Sequence, residues 1–177
     1  MVQLGLNLDQ RENLKIPDGN IDNTQINRKL VIEITRELRP RICLLPYWQD
    51  RHPDHVAASL LLQKALFDSG LQKIKTGQQE YRPQILLYYM LHYEFQPTFV
   101  VDISDEMGKK TEAIMAYRSQ FLQGDNSQPA TYINRPEFLQ SLQTRAAWFG
   151  QQVGVKYAEP YYYPGRLKID NILRFFA

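Results

Sequence analysis

Apolar residues are arranged in two ways along the chain. In some segments they recur at helical spacing, and in others they form short continuous runs typical of strands. Between residues 25 and 38 the apolar positions recur at helical spacing, and we expect one buried face formed by Ile26, Leu30, Val31, Ile34 and Leu38. Short apolar runs at residues 41–45, 84–91 and 98–104 indicate buried strands. Helices that alternate with apolar strands predict an α/β fold with a mainly parallel sheet.

The remaining elements are predicted from their start and stop signals. Helices are expected at residues 53–69, 105–122 and 137–149, and Gly70 is expected to close the first of them as a C-terminal cap. Residues 155–160 are predicted to form a short strand or an extended segment. The sequence contains neither an internal repeat nor a linker, so residues 1–177 are predicted to form a single domain.

Two of the three histidines in the sequence fall within residues 46–55, between a predicted strand and a predicted helix. In open α/β sheets, ligands bind at this position, beyond the carboxyl end of a strand. Pro53 suits the first helical position. His52 then lies at or just before the helix cap, and His55 lies three residues later on nearly the same face.

Neutral imidazole is a common zinc ligand, and a neighbouring carboxylate, Asp50 or Asp54, could fix which ring nitrogen is available. Two histidines at this spacing make half of a metal site at most. Alternatively, the two acids are favoured at the helix start by its dipole, and the histidines are incidental surface residues. The spacing leaves both interpretations open. For the third histidine, His92, packing at a strand edge is favoured over metal binding.

Composition narrows the choice of partners. The formal net charge of +2 gives no reason to expect nucleic acid as a partner. No apolar run approaches the length that crosses a bilayer, so we expect no membrane partner. A single cysteine, Cys43, excludes a disulfide within the chain and fits a cytoplasmic location.

The sequence Arg-His-Pro-Asp-His at residues 51–55 resembles the second metal motif of the PIG-L/LmbE family of zinc-dependent N-acetylglucosaminyl deacetylases. Other stretches agree with the family in the same order, at residues 12–19, 99–104, 116–121 and 154–159. The resemblance is strongest to the deacetylases of bacillithiol biosynthesis, and it covers nearly the whole chain. Each motif is short, but their ordered combination is specific.

The resemblance implies a Rossmann-like three-layer sandwich that hydrolyses the N-acetyl group of a small amino-sugar conjugate, with Zn as cofactor. In the bacillithiol subgroup that substrate is N-acetylglucosaminyl malate. His55 would bind zinc, and His52 would stabilise the oxyanion or protonate the leaving amine, with Asp54 orienting its ring. Arg51 and Asp18 would contact the substrate. Asp18 could equally be a turn residue that bonds its own backbone.

One motif of the family is absent from this sequence. Ala-His-Pro-Asp-Asp supplies the family with two further zinc ligands and the general base. Relative to the family, the chain is therefore expected to be truncated at its N-terminus and to lack its first βα units. Residues 42–45 would then form an exposed sheet edge that could promote a homo-oligomer. Asp18, Asp22 and Asp50 are possible oxygen ligands, although nothing in their spacing requires it.

Without that motif we expect little or no catalysis by the chain as it stands. The competing hypothesis is a catalytically inactive domain of the same fold that binds a glycoside or a partner through the same cleft. A nucleotide-binding Rossmann domain is disfavoured, because no Gly-x-Gly-x-x-Gly sequence follows a predicted strand.

Overall fold

The computed structural model describes residues 8–117, 132–133 and 135–176. The helices of this part of the chain are α1 (Gln25–Leu38), α2 (Pro53–Asp68), α3 (Met107–Met115), α4 (Pro136–Val153) and α5 (Ile172–Phe175). The strands are β1 (Ile42–Pro46), β2 (Ile85–Tyr89), β3 (Phe99–Asp102) and β4 (Ala158–Tyr162). The predicted α/β class is confirmed. Residues 118–121 of the matching stretch at residues 116–121 lie outside the described residues, as does the end of the helix predicted at 105–122.

The four described strands form one open sheet in the order β1-β2-β4-β3. Strands β1 and β2 are parallel, with Ile42 opposite Ile85 and Pro46 opposite Tyr89. Strands β2 and β4 are antiparallel, so the described sheet is mixed. Because β1 and β2 are parallel neighbours, their carboxyl ends meet at the same edge of the sheet.

Helix α2 is fixed between α1 and the sheet by two apolar clusters. The cluster that joins α1 to α2 consists of Val31, Ile32, Leu61 and Ala65. The cluster that joins α2 to the sheet consists of Leu45, Leu66 and Tyr88. Full burial of one such large side chain contributes about 1.5–3 kcal/mol. The start of α2 is therefore held in a defined position beside the ends of β1 and β2.

The buried face of α1 differs from the predicted one. Ile26 is 75% exposed and Leu38 is 48% exposed, whereas the buried positions are Val31, Ile32, Thr35 and Arg36. Burial of Arg36 is possible because its guanidinium donates, at 2.7–2.9 Å, to the carbonyl oxygens of Ser69, Leu71 and Ile74 and to Oγ1 of Thr76. Hydrophobic periodicity cannot anticipate acceptors that come from a distant loop.

The ends of these helices follow the sequence signals in most respects. Oγ1 of Thr24 accepts from the backbone N–H of Asn27 at 3.1 Å and caps α1. His52 is the N-cap of α2 and Pro53 is its first residue, as predicted. Gly70 is not the C-terminal cap, since Ser69 occupies that position. A Cβ atom at Gly70 would instead lie 2.7 Å from Nε of Arg82.

The chain divides by its internal contacts into two compact units. One unit comprises Leu14–Thr98 and Tyr161–Ala177, and the other comprises Met1–Asn13 and Phe99–Pro160. Within the second unit, Lys110 forms an ion pair with Glu159, and the backbone N–H of Tyr157 donates to Oγ of Ser104 at 3.2 Å. No helix in the described ranges is both long enough and apolar enough to cross a bilayer.

Candidate metal centre

The parallel pairing of β1 and β2 brings Asp50 and His92 together. Asp50 follows the last residue of β1 by four positions, and His92 follows the last residue of β2 by three. The backbone N–H of Tyr47 donates to the carbonyl oxygen of Tyr89 at 3.1 Å and extends the pairing beyond the strands. The loops that leave the two strands are therefore adjacent.

Aromatic rings pack around Tyr47 and Trp48, which lie between the end of β1 and Asp50. The ring centroids of Tyr47 and Trp48 lie 4.1 Å apart, and Trp48 contacts Tyr88 and Tyr162 edge-on at 4.9 and 5.3 Å. The ring of Phe95 lies 4.4 Å from that of Tyr47. Such offset and edge-on pairs contribute about 0.5–1.5 kcal/mol each beyond their burial. They hold Tyr47 and Trp48, which precede Asp50, against the cluster that joins α2 to the sheet.

Asp50 accepts hydrogen bonds from all three histidines. Its Oδ1 accepts from Nδ1 of His55 at 2.8 Å, from Nδ1 of His92 at 2.9 Å and from the backbone N–H of His52 at 3.0 Å. Its Oδ2 accepts from the backbone N–H of His92 at 2.8 Å. The Asp50 side chain is only 2% exposed. Burial alone would raise the pKa of Asp50, but these hydrogen bonds outweigh it and hold the pKa well below its usual value.

The hydrogen bonds to Asp50 indicate where its histidine partners carry their ring protons. An ionised carboxylate can only accept hydrogen bonds, so Nδ1 of His55 and Nδ1 of His92 are the donors. Nδ1 of His52 has the opposite role, because it accepts the backbone N–H of Asp54 at 3.2 Å. A neutral His52 therefore carries its proton on Nε2, whereas a neutral His55 has its lone pair on Nε2.

Asp50, His55 and His92 form a candidate metal-binding group. One ligand atom from each lies within 4.8 Å of the other two. Imidazole nitrogens and carboxylate oxygens are ligand types that zinc takes in proteins. The rings of His55 and His92 are stacked, with centroids 5.4 Å apart and planes inclined by 11°. These residue types suit a metal ion, and His55 is the member that the motif also predicts as a ligand.

Asp54 connects the start of α2 to the turn that carries Asp18. Its buried carboxylate accepts the backbone N–H of Gly19 through Oδ2 at 2.6 Å. Gly19 closes this turn with φ of 73°, a value that favours glycine, and the N–H of Asn20 donates to the carbonyl oxygen of Pro17 at 3.2 Å. Asp54 thus contacts Nδ1 of His52 through its backbone N–H and Gly19 through its side chain.

Three of the other predicted residues have exposed side chains. Arg51 and His52 are exposed at the start of α2, and Asp18 is exposed on its turn. The prediction that His92 packs at a strand edge does not include its hydrogen bonds to Asp50. The signal that could have found them is its position, because His92 and Asp50 both follow strands predicted to be parallel. Asp102 accepts locally, from the backbone N–H and the Oγ of Ser104 at 2.9 and 2.6 Å.

Comparisons with known proteins establish the family. No protein-family model matches the chain. The crystal structure of the conserved protein TT1542 from Thermus thermophilus superimposes with a TM-score of 0.81 and 33% identity, over 92% of this chain and 68% of that one. The chain belongs to the same family as TT1542.

The chain is also homologous to diacetylchitobiose deacetylases. It is 30% identical over 154 residues to the enzyme of Thermococcus kodakarensis. This aligned region covers 82% of this chain and 53% of the relative. The inhibitor complex of the N,N'-diacetylchitobiose deacetylase from Pyrococcus horikoshii has a TM-score of 0.65 and 25% identity, over 86% of this chain and 54% of that one. The chain therefore spans about half the length of these two deacetylases.

A more distant structure shares only the fold. The 4-carboxy-2-hydroxymuconate hydratase GalB from Pseudomonas putida KT2440 superimposes with a TM-score of 0.69 at 19% identity, over 89% of this chain and 65% of that one. Identity at this level carries no argument about chemistry.

Proposed function

We propose that this chain is a PIG-L/LmbE-like, zinc-dependent deacetylase acting in the cytoplasm on the N-acetyl group of an N-acetylglucosaminyl conjugate. It is incomplete or inactive unless other residues or a neighbouring chain replace the ligands and the base of the absent Ala-His-Pro-Asp-Asp motif. N-acetylglucosaminyl malate, from bacillithiol biosynthesis, is the proposed substrate. The observation that carries the proposal is the orientation of His55 by a buried carboxylate directly beside His52. The chain is homologous to proteins named as deacetylases of diacetylchitobiose, which supports the substrate class.

The two histidines of the motif divide the chemistry between them. Nε2 of His55 would hold a zinc ion, which would supply a Lewis acid for the amide carbonyl and lower the pKa of water. His52 presents Nε2–H, a donor for the oxyanion of the tetrahedral intermediate or for the leaving amine. The backbone N–H of Asp54 fixes the ring of His52 in this orientation. The ring centroids of the two histidines lie 4.8 Å apart, so both act on one substrate group.

Substrate contacts are proposed for Arg51 and Asp18. Arg51 is exposed next to His52, and its fork of donors suits a carboxylate such as those of malate. Asp18 is exposed on the turn that Asp54 attaches to α2, where its carboxylate can accept from sugar hydroxyls. Both roles concern binding, so their loss should raise KM more than it lowers kcat.

Association into a homo-oligomer is also proposed. Strand β1 is terminal in the described sheet, and its Ile42 and Leu44 side chains are 47% and 52% exposed. An apolar strand at a sheet edge is a surface for pairing with another chain. Sedimentation of the chain over a range of concentrations tests this, and a monomer at every concentration would contradict it.

The competing function is binding without hydrolysis. In the part of the chain that the structure describes, the metal-binding group contains one carboxylate, Asp50, and hydrogen bonds from three residues occupy it. Asp50 is therefore poorly suited to act as the general base. An inactive domain that binds an amino-sugar glycoside through the same residues is the second candidate.

The test combines zinc content with turnover. The chain and its His55→Ala variant are assayed for bound zinc and for acetate release from N-acetylglucosaminyl malate and from diacetylchitobiose. Bound zinc and acetate release that are both lost in His55→Ala support the proposal. Faster release from N-acetylglucosaminyl malate than from diacetylchitobiose supports the malate conjugate as the substrate. Zinc without turnover on either substrate favours the binding domain. If the chain binds no more zinc than the His55→Ala variant does, the deacetylase proposal is wrong.

A further inference from the structure

His92 contacts both oxygens of Asp50. Its backbone N–H donates to Oδ2 at 2.8 Å, and its Nδ1 donates to Oδ1 at 2.9 Å. A contact at two points fixes the rotation of the carboxylate about its Cβ–Cγ bond. The His92 side chain is 14% exposed, so little water competes for these hydrogen bonds.

The oxygen that His92 fixes is the one that orients His55. Oδ1 of Asp50 accepts from Nδ1 of His55 at 2.8 Å, and the two imidazole rings are stacked. If Oδ1 rotated away, Nδ1 of His55 would lose its acceptor and the ring could exchange tautomers. The position of His92 therefore bears on which nitrogen of His55 is available.

The distances favour an orienting role for Asp50 and His92 over a role as direct ligands. Two atoms bound to one tetrahedral zinc at its usual bond lengths lie about 3.4 Å apart. The observed separations of 2.8 and 2.9 Å between Oδ1 and the two Nδ1 atoms are those of charge-assisted hydrogen bonds. A metal-bound histidine usually donates its second ring N–H to such a carboxylate.

We propose that His92 is a positioning residue that acts through Asp50 to hold His55 with Nδ1 protonated and Nε2 directed to the metal. The inference rests on the proposed function in one respect, because it takes His55 as the metal ligand. It adds to that function a residue outside the motif at residues 51–55, in the loop that follows the neighbouring strand β2.

The experiment compares His92→Asn with His92→Leu. The asparagine side chain keeps an N–H donor close to the position of Nδ1, whereas leucine has none, and both variants retain the backbone N–H of residue 92. Tyr93→Leu, at a neighbouring side chain that is 54% exposed, is the matched control. Far-ultraviolet circular dichroism and thermal unfolding establish that each variant is folded.

The first readout is the tautomer of His55, measured by nitrogen NMR of histidine-labelled chain without metal. His55 should carry its proton on Nδ1 in the unaltered chain, in His92→Asn and in Tyr93→Leu, and should become a mixture in His92→Leu. An unchanged His55 tautomer in His92→Leu overturns the inference. This readout needs neither zinc nor turnover, so it decides the role of His92 even if the chain fails the test of the proposed function.

The second readout is metal affinity, measured by titration with Zn²⁺ and with Co²⁺. Loss of an orienting partner typically weakens metal binding about 10- to 100-fold, and we expect a weakening of this size in His92→Leu. His92→Asn should retain most of the affinity. If His92→Asn loses as much affinity as His92→Leu, His92 is itself a ligand and the positioning role is wrong.

Discussion

His52 and His55, three residues apart at the start of α2, carry their ring protons on opposite nitrogens. Nδ1 of His52 accepts the backbone N–H of Asp54 at 3.2 Å, whereas Nδ1 of His55 donates to Oδ1 of Asp50 at 2.8 Å. In the proposed function, the ring of His52 is a donor to substrate and the ring of His55 is a metal ligand. A helix start and one buried carboxylate are sufficient to produce this difference.

The first prediction separates the two histidines. His52→Ala should bind zinc with unchanged affinity, because the described contacts of His55 with Asp50 do not involve the His52 ring. Turnover should fall about 10²- to 10⁴-fold, the usual contribution of a general acid. Zinc titration and acetate release measure the two effects. Zinc loss as complete as in His55→Ala would show that His52 is a ligand.

A second prediction concerns the stability provided by Arg36. Arg36→Met should lower the free energy of unfolding by at least about 3 kcal/mol, because each buried carbonyl left without a donor costs about 1–3 kcal/mol. Urea unfolding monitored by circular dichroism provides the measurement. Lys29→Ala on the exposed part of α1 is the control and should change stability by less than about 0.5 kcal/mol. Equal stability of the two variants would contradict the role of Arg36.

Removal of the Asp54 carboxylate should release the turn at residues 17–20. In Asp54→Ala the N–H of Gly19 loses a charge-assisted partner at 2.6 Å, which costs about 1.5–3 kcal/mol. Amide hydrogen exchange at Gly19 should accelerate accordingly, while Asp54→Asn, which keeps an acceptor, should show a smaller effect. The ring of His52 should keep its tautomer in both variants, since the backbone N–H of residue 54 remains. An unchanged rate of amide hydrogen exchange at Gly19 in Asp54→Ala would contradict the role of the hydrogen bond between Gly19 and Asp54.

The low pKa of Asp50 predicts a pH dependence of stability. The folded-state pKa lies below the unfolded value of about 3.9, so the unfolded chain binds the proton first as the pH falls. The contribution of Asp50 is therefore present above about pH 4 and lost below it. With a chelator present, Asp50→Asn should be less stable than the unaltered chain near neutral pH, and this difference should shrink on acidification. A difference that is constant with pH would contradict the assignment.

Much of this fold could be predicted from local signals. The start of α2 follows directly from His52 and Pro53, and the bounds of α1 follow from its caps. The motif at residues 51–55 identified the segment on which the site is built. These features depend on residues that are close together in the sequence, so one sequence is enough to predict them.

Contacts between distant segments could not be predicted in the same way. His92 meets Asp50 across 42 positions of sequence, and only the pairing register of β1 with β2 brings them together. Arg36 is buried because carbonyls of a later loop converge on it, which its helical period does not show. The period of the apolar residues predicts which positions are buried by apolar contacts. The positions of Arg36 and His92 are determined by their hydrogen-bond partners.

The most direct test of this account is nitrogen NMR of the three histidine rings at neutral pH, without and then with zinc. We predict a proton on Nδ1 of His55 and of His92, a proton on Nε2 of His52, and a zinc-induced shift at Nε2 of His55. A proton on Nε2 of His55 in the metal-free chain, or zinc bound through its Nδ1, would contradict the account.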